Sequence, residues 1–266
     1  MSVRQRAGTR ARGGSAGSAT TGRRPRRLAR RALVSLVALI AVGAVAFGGL
    51  LLVTPSAGNA ESLARAQDRA EHAAFPGPPV PARFAASIEA TEDHRFGHEP
   101  GIDLFAVARV AASWLTGGGD QGGATIYQQL AKLLYTPGQS GLGAELEQVS
   151  LAVKLYMTYG SEQILRMYSD VVYFGNGDYG LAAASCGYLG LPPSQMSWPQ
   201  AALLAGLVQG PSADDPLRHP VQARLREEHV IGRLVATGAI TRRQATAALA
   251  EPLASLVAGA GRRCTA

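Results

Sequence analysis

Cysteine is nearly absent from this sequence, with only Cys186 and Cys264 in 266 residues. That excludes a disulfide scaffold and leaves no zinc-ribbon spacing. Each cysteine reads as a small apolar filler rather than half of a bridge. Acidic residues are missing until Glu61, whereas residues 1–31 carry ten of the 26 basic side chains. The rest of the chain holds 16 basic against 19 acidic groups, a net charge of −3. A basic body for gripping nucleic acid is therefore excluded. Charge is modest at 17% and hydrophobic residues reach 47%, so a sizeable core is available and wholesale disorder is ruled out. Internal repeats, Walker loops and sustained period-two alternation are also lacking.

One stretch has no charge at all. Ala32 to Val53 reads ALVSLVALIAVGAVAFGGLLLV, 22 residues that as a helix would extend about 30 Å, the thickness of a bilayer core. The arginine block before it places 1–31 in the cytoplasm and the remainder outside. The rival reading is a cleaved signal, including a twin-arginine form at Arg30-Arg31. Its apolar region would exceed the roughly 7–15 residues usual there, so 32–53 reads as an uncleaved transmembrane helix. The expected organisation is a basic disordered tail over 1–31, the span over 32–53 and a linker over 54–80. A mostly α domain over 81–258 and a short tail over 259–266 complete it.

Helix starts recur in one form. Thr125-Ile-Tyr-Gln128, Ser197-Trp-Pro-Gln200 and Thr241-Arg-Arg-Gln244 each fit a capping box, in which a hydroxyl and a glutamine satisfy the first free amides. Glycine and proline punctuate the chain at FPGPPVP (75–81), GGGDQGG (117–123), FGNGDYG (174–180) and LPPS (191–194).

Four segments could carry chemistry. In the first, Phe84, Ile88 and Glu92 share one helical face, so the Glu92 carboxylate extends an apolar stripe. Burial there would raise its pKa toward that of a usable base or acid; the plain alternative is a solvated pair, Glu92-Asp93, beside His94 and Arg95. His94 and His98 have metal-ligand spacing only if the helix continues, which Gly97 and Pro100 oppose. In the second, a glycine-rich loop opens a helix at Thr125 that bears Gln128, Gln129 and Lys132, a start suited to phosphate or simply a capped surface helix. In the third, Leu146, Val149, Ala152, Val153, Leu155 and Tyr156 cover most of a wheel, so the helix reads as largely buried. Glu147, Ser150, Lys154 and Thr158 share its polar arc, and Gln148 lies off that arc as a core amide or a site residue. The fourth, ILRMYSDVVYFGNGDYGLAAASCGYLG, is a helix, a Gly-Asn-Gly turn and a second helix of small residues.

In this order and spacing the segments resemble the glycosyltransferase domain of penicillin-binding proteins and monofunctional peptidoglycan glycosyltransferases. The family's E-D-x-x-F-x-x-H-x-G is matched by Glu92, Asp93, Phe96 and Gly101. Its G-x-S-T-I-x-Q-Q-L-x-K is matched by Gly122, Thr125, Ile126, Gln128, Gln129, Leu130 and Lys132. The Y-F-G-N-G-x-Y-G run, with Asn176 at its centre, stands at Tyr173 to Gly180. AALLAGLVQGPS at 201–212 resembles the family helix that follows.

The resemblance implies a lysozyme-like fold and polymerisation of lipid II into a growing glycan strand, with release of polyprenyl pyrophosphate. It makes Glu92 the catalytic base that deprotonates the acceptor hydroxyl, and it gives Lys132 and the second motif the donor pyrophosphate. Asp93, Phe96, Thr125, Gln128, Gln129 and Asn176 are expected to line the substrate site. A divalent cation, Mg²⁺ or Mn²⁺, serves some members, and a separate transpeptidase is an implied partner.

The chain departs from the family pattern at Glu99, where the family has His, and at Ala124, where it has Ser. In the third motif, R-K-x-x-E-x-x-x-A-x-x-L-E, Ala152 and Leu155 match. Gln148 falls on the second catalytic Glu, Tyr156 on the last Glu and Ala144-Glu145 on the Arg-Lys pair. Two other classes follow from these departures: a non-catalytic lipid II-binding or scaffold member, and a glycan-cleaving enzyme on the same fold. The glycine-rich Gln-Gln-Lys segment weighs against cleavage.

Penicillin-sensitive transpeptidases use Ser in S-x-x-K, and neither lysine of this chain fits: three residues before Lys132 and Lys154 stand Gln129 and Leu151. The purified chain should therefore take up no labelled penicillin covalently, and a labelled band on a denaturing gel would overturn this.

Overall fold

The structure is a computed structural model, which describes residues 23–73, 75–103 and 124–261. The chain falls into two compact units, 1–49 and 50–266. The first contains most of α1 (Arg23–Val53), in which Ala29–Val53 is long and apolar enough to cross a membrane. The helix begins at Arg23 rather than Ala32: arginine has good intrinsic helix propensity, and Pro25 falls within the first turn, where proline is tolerated. The rest of the basic tail lies outside the described residues.

The second unit is helical throughout, with no strand among the described residues beyond an isolated bridge between Tyr173 and Tyr179. Its longer helices are α2 (Ala60–Ala70), α3 (Ala82–Glu92), α4 (Ile126–Tyr135), α5 (Leu142–Thr158) and α6 (Ser161–Val171). After the short α7 (Leu181–Ala184) come α8 (Trp198–Leu207), α9 (Pro220–Ala236), α10 (Arg242–Ala250) and α11 (Leu253–Leu256). The capping boxes at Thr125 and Thr241 form in full, and the one at Ser197 forms only its glutamine half. Gln128 N and Gln244 N donate to the Thr125 and Thr241 hydroxyls at 3.2 and 3.3 Å, and both glutamines answer the cap amide. At Ser197 the amide donates to Gln200 Oε1 at 2.9 Å.

The helix α8 is apolar on every side, and from Ala201 to Leu207 each residue is buried. A helix with no polar face must be surrounded; α3 and α9 pack on it. A second group gathers around α4, which packs on α5 and α6, with α2 laid across α4 and α6. The segment 54–80 is thus more than a linker. Its α2 puts Ala60 and Ala64 into the core, small side chains that let two helices approach closely.

Cys186 is disulfide-bonded, so the reading of it as an apolar filler does not hold; Cys264 lies outside the described residues. Hydropathy has no means of revealing this, since a half-cystine and a buried thiol look alike in sequence.

The FGNGDYG run is a two-residue hairpin turn. Asp178 N donates to Gly175 O at 2.8 Å, and Asn176 and Gly177 take φ of 54° and 86°, the left-handed pair that an Asn-Gly turn supplies. Gly175 itself has φ 93°, and a Cβ there would stand 2.4 Å from Pro211 O and 2.8 Å from the Tyr188 hydroxyl. Gly175→Ala should cost about 2–3 kcal/mol of stability, from strain and overlap together. Denaturant unfolding checks this, with Gly177→Ala, which meets open space, as the milder comparison.

Candidate active site

The two helix groups are tied together at the C-terminal end of α3. Asp93 caps this end, is 7% exposed, and accepts the amide of Ile126 at the start of α4 at 3.1 Å. Beside it the Thr125 hydroxyl donates to Gly101 O at 2.8 Å. Gly101 has φ 77°, and a Cβ there would fall 2.4 Å from Ala152 O, so this glycine lets the loop after α3 press against the backbone of α5. Burial, opposed by the Ile126 and Arg95 amides, raises the Asp93 pKa. Glu99, buried alongside, is pushed to about 7 by burial and then by Asp93. Arg95 spans Glu99 and Asp103.

Glu92 precedes this knot and faces outward from it. Its side chain is 12% exposed. Gln129 Nε2 donates to Glu92 Oε2 at 2.9 Å, and Arg226 of α9 stands 3.8 Å from Oε1. The amide of Gln129 is itself fixed, since the Tyr168 hydroxyl donates to its Oε1 at 2.6 Å. Full burial, with Glu92 nearby, holds the Tyr168 pKa well above its ordinary value, so the phenol stays a neutral donor. His229, one turn along α9 from Arg226, has its pKa lowered by burial and then by Arg226 and Arg233, against the pull of Glu92. Four helices, α3, α4, α6 and α9, thus converge on one carboxylate.

The other expected site residues are placed differently. Thr125 is buried and caps α4 with Gln128, so both serve the helix start. Phe96 is buried, its ring 5.1 Å from Tyr127, which in turn meets Tyr156 edge-on at 5.8 Å. Asn176 holds the hairpin turn. Lys132 is exposed and makes no ion pair among the described residues. Gln148 is half-buried and donates to the Thr136 hydroxyl at 2.9 Å, at the C-terminal end of α4. Gln129 and Thr136 are seven residues apart on α4, so the groups bonded to them sit about 10 Å apart along its axis, with Lys132 between. Residues 104–123, with Gly122, lie outside the described residues.

The wheel for α5 needs correcting. Ser150, assigned to the polar arc, is fully buried, whereas Leu146 and Tyr156 are 46% and 39% exposed. The polar arc is covered by the chain just after α1: Ser150 shares a hydrogen bond with Thr54 at 2.8 Å, and Lys154 donates to the carbonyls of Thr54 and Pro55 at 2.7 and 2.8 Å. His94 and His98 do not form a metal pair, because α3 ends before them. Among the described residues no three His, Cys, Asp or Glu side chains come together as a cation site. Around Glu92 the partners are an amide donor and a guanidinium, a set that suits a carboxylate.

Comparison with known proteins decides the assignment. The profile of the family described as Transglycosylase matches residues 59–235. The chain belongs to the transglycosylase family. It is 36% identical over 175 residues to penicillin-binding protein 1A of Aquifex aeolicus, covering 65% of this chain and 24% of that one. It is 33% identical over 174 residues to a Cupriavidus necator protein described as a transglycosylase, covering 65% and 75%. A Haemophilus influenzae penicillin-binding protein 1A crystal structure aligns with 48% of this chain and 16% of its own, at 24% identity and a TM-score of 0.34. The chain therefore spans about a quarter of the Aquifex penicillin-binding protein it matches. The body of this transglycosylase is a mostly α, lysozyme-like peptidoglycan transglycosylase domain.

Arg226 and Tyr168 escape a reading of the sequence. Both are distant in sequence from Glu92, and no short motif ties them to it; their only trace is a charged residue on a mixed-charge helix and a tyrosine on an apolar face. If Glu92 acts as the base, Glu92→Gln should lower transglycosylase turnover about 10²–10⁴-fold. Tyr168→Phe, which frees Gln129, should lower kcat about tenfold with KM little changed. Wild-type turnover in Glu92→Gln, read by gel separation of glycan products, would remove Glu92 from the reaction.

Proposed function

We propose that this chain is a membrane-anchored peptidoglycan glycosyltransferase that polymerises lipid II on the outer face of the membrane. The observation that carries the reading is the placement of Glu92, held from two sides by Gln129 and Arg226 at the junction of the helix groups, with Lys132 exposed about one turn further along α4. Glu92 takes the proton of the acceptor sugar hydroxyl as its oxygen attacks the anomeric carbon of the donor. The bond from that carbon to the pyrophosphate breaks with inversion, and polyprenyl pyrophosphate leaves with the electron pair. Lys132 supplies a cation to the departing phosphate oxygens. The growing strand stays bound to the protein, and a separate transpeptidase cross-links it.

The outer-face topology is supported by the arginine block before α1 and by the disulfide at Cys186, since such bonds persist in oxidising compartments. A second reading, a lipid II-binding member without turnover, is favoured by one observation. Gln148 occupies the third-motif carboxylate position and spends its amide on Thr136. An amide there can neither move a proton nor hold a cation as a carboxylate does.

Incubating the full-length protein in detergent with labelled lipid II separates the readings. Polymer is expected; bound monomer alone would favour the second reading, and cleavage of preformed glycan would defeat both. If the missing carboxylate limits the rate, Gln148→Glu should raise turnover at least several-fold, most with Mg²⁺ or Mn²⁺ added. An unchanged or lower rate would show that Gln148 is not the limiting departure.

A further inference from the structure

The loop after α3 buries a second carboxyl group beside Asp93. Glu99 is 5% exposed, and neither of its oxygens has a hydrogen-bond donor among the described residues. Arg95 offers it only a long contact: Nε stands 3.7 Å from Glu99 Oε2, while Nη2 pairs with Asp103. A carboxylate in that setting would lack the hydrogen bonds that make buried charge tolerable.

Asp93 is in the opposite position. Its carboxylate accepts the amides of Ile126 and Arg95, and such donors favour the charged form. The two carboxyl groups lie within hydrogen-bonding reach of each other, and two acids in contact cannot both ionise cheaply. The proton of the pair is better placed on Glu99, the member that has no amide to replace it. Position 99 is also where the family motif carries His. An imidazole has an N–H to donate in either charge state, whereas a carboxyl group donates only while protonated.

We propose that Glu99 is a positioning residue: protonated, it donates to Asp93 and braces the α3–α4 junction, and ionised, it repels Asp93 and loosens the junction from which Glu92 projects. The inference deepens the reading of Glu92 as the base and rests on it for the effect on turnover. Glu99 acts through Asp93 and takes no part in the proton transfer itself.

The charges around the pair set the direction of the effect. Asp93 and Asp103 oppose ionisation of Glu99, and Arg95 favours it. On α3, Glu89 is held above its ordinary range by burial and then by Asp93, with His98 pulling the other way. From α4 comes Tyr127, a phenol kept neutral by burial and then by Asp93, and from α5 comes Tyr156 against its ring. Burial is the largest influence on Glu99 and holds it at about 7. The brace is therefore present in acid and is lost as pH rises through that value.

The test uses the full chain in detergent at about pH 6 and about pH 8. Amide exchange at Ile126 reads the junction directly. The Gln244 amide, which closes the start of α10 on Thr241, corrects for the intrinsic rise of exchange with pH. Relative to Gln244, Ile126 in the wild-type chain should lose protection by about tenfold, the fall in the protonated share of a group near 7. It should lose none in Glu99→Gln, whose amide donates at either pH. Over the same interval kcat for lipid II should fall by up to that factor with KM little changed, and the fall should vanish in Glu99→Gln and Glu99→His. Asp68→Asn removes another buried acid with a raised pKa, on α2, and should keep the wild-type profile; a general effect of buried charge would move both alike. Ile126 protection that is equal at the two pH values, or a fall in kcat that persists in both variants at 99, would overturn the proposal. Protection that falls in the wild type but not in Glu99→Gln, in protein that makes no polymer at either pH, would uphold the Glu99–Asp93 brace and defeat the function reading instead.

Discussion

Asp93 lies at the end of α3, buried, with its carboxylate on the amide of Ile126. That bond joins the last residue of one helix to the first of another, and two packed groups of helices meet across it. Glu92 is the residue immediately before, so its direction is set by the way Asp93 is tied. A carboxylate on a frayed helix end would sample many orientations. Here the neighbouring carboxylate spends its hydrogen-bonding capacity on backbone, which leaves Glu92 as the acidic group of the pair that faces Gln129 and Arg226. The pair in the first motif thus divides its labour: one member builds the junction and the other is free for chemistry at it.

The rest of the second motif follows the same division. Thr125 and Gln128 close the start of α4, and that closure aims Gln129 at Glu92 and fixes where Lys132 emerges. Tyr168 then orients the Gln129 amide from the far side, so that its nitrogen and not its oxygen meets the carboxylate. A chain of three hydrogen-bonding groups from three helices is rigid in a way that no one of them would be alone.

The sequence is most informative where chemistry is local. Capping boxes at Thr125 and Thr241 and the Asn176-Gly177 turn are decided by residues within a few positions of each other, and they form as read. It is least informative where partners come from far along the chain. Arg226 is 134 positions from Glu92 and is invisible as its neighbour. Motif residues also blur two roles, since Asp93 serves the start of α4, Phe96 the core and Asn176 a turn. The wheel for α5 misleads because a wheel assigns polar residues to water and apolar ones to protein. Ser150 finds the Thr54 hydroxyl and Lys154 finds backbone carbonyls to bond, whereas Leu142, Leu146 and Met157 stay exposed. The expectation of a linker over 54–80 fails for a related reason: alanines carry little hydropathy signal, yet Ala60 and Ala64 are the contacts that dock α2.

That docking changes where the domain can be cut. A soluble fragment designed from the proline-rich break at 75–81 would discard α2 and uncover the surfaces of α4 and α6 on which it lies. It would also lose Asn59, whose side chain accepts from the Tyr135 hydroxyl at 2.9 Å. The second compact unit begins at Leu50, before α1 has ended, so a cut anywhere after residue 50 removes chain that belongs to it. Chain that looks like rope in the sequence is masonry in the fold.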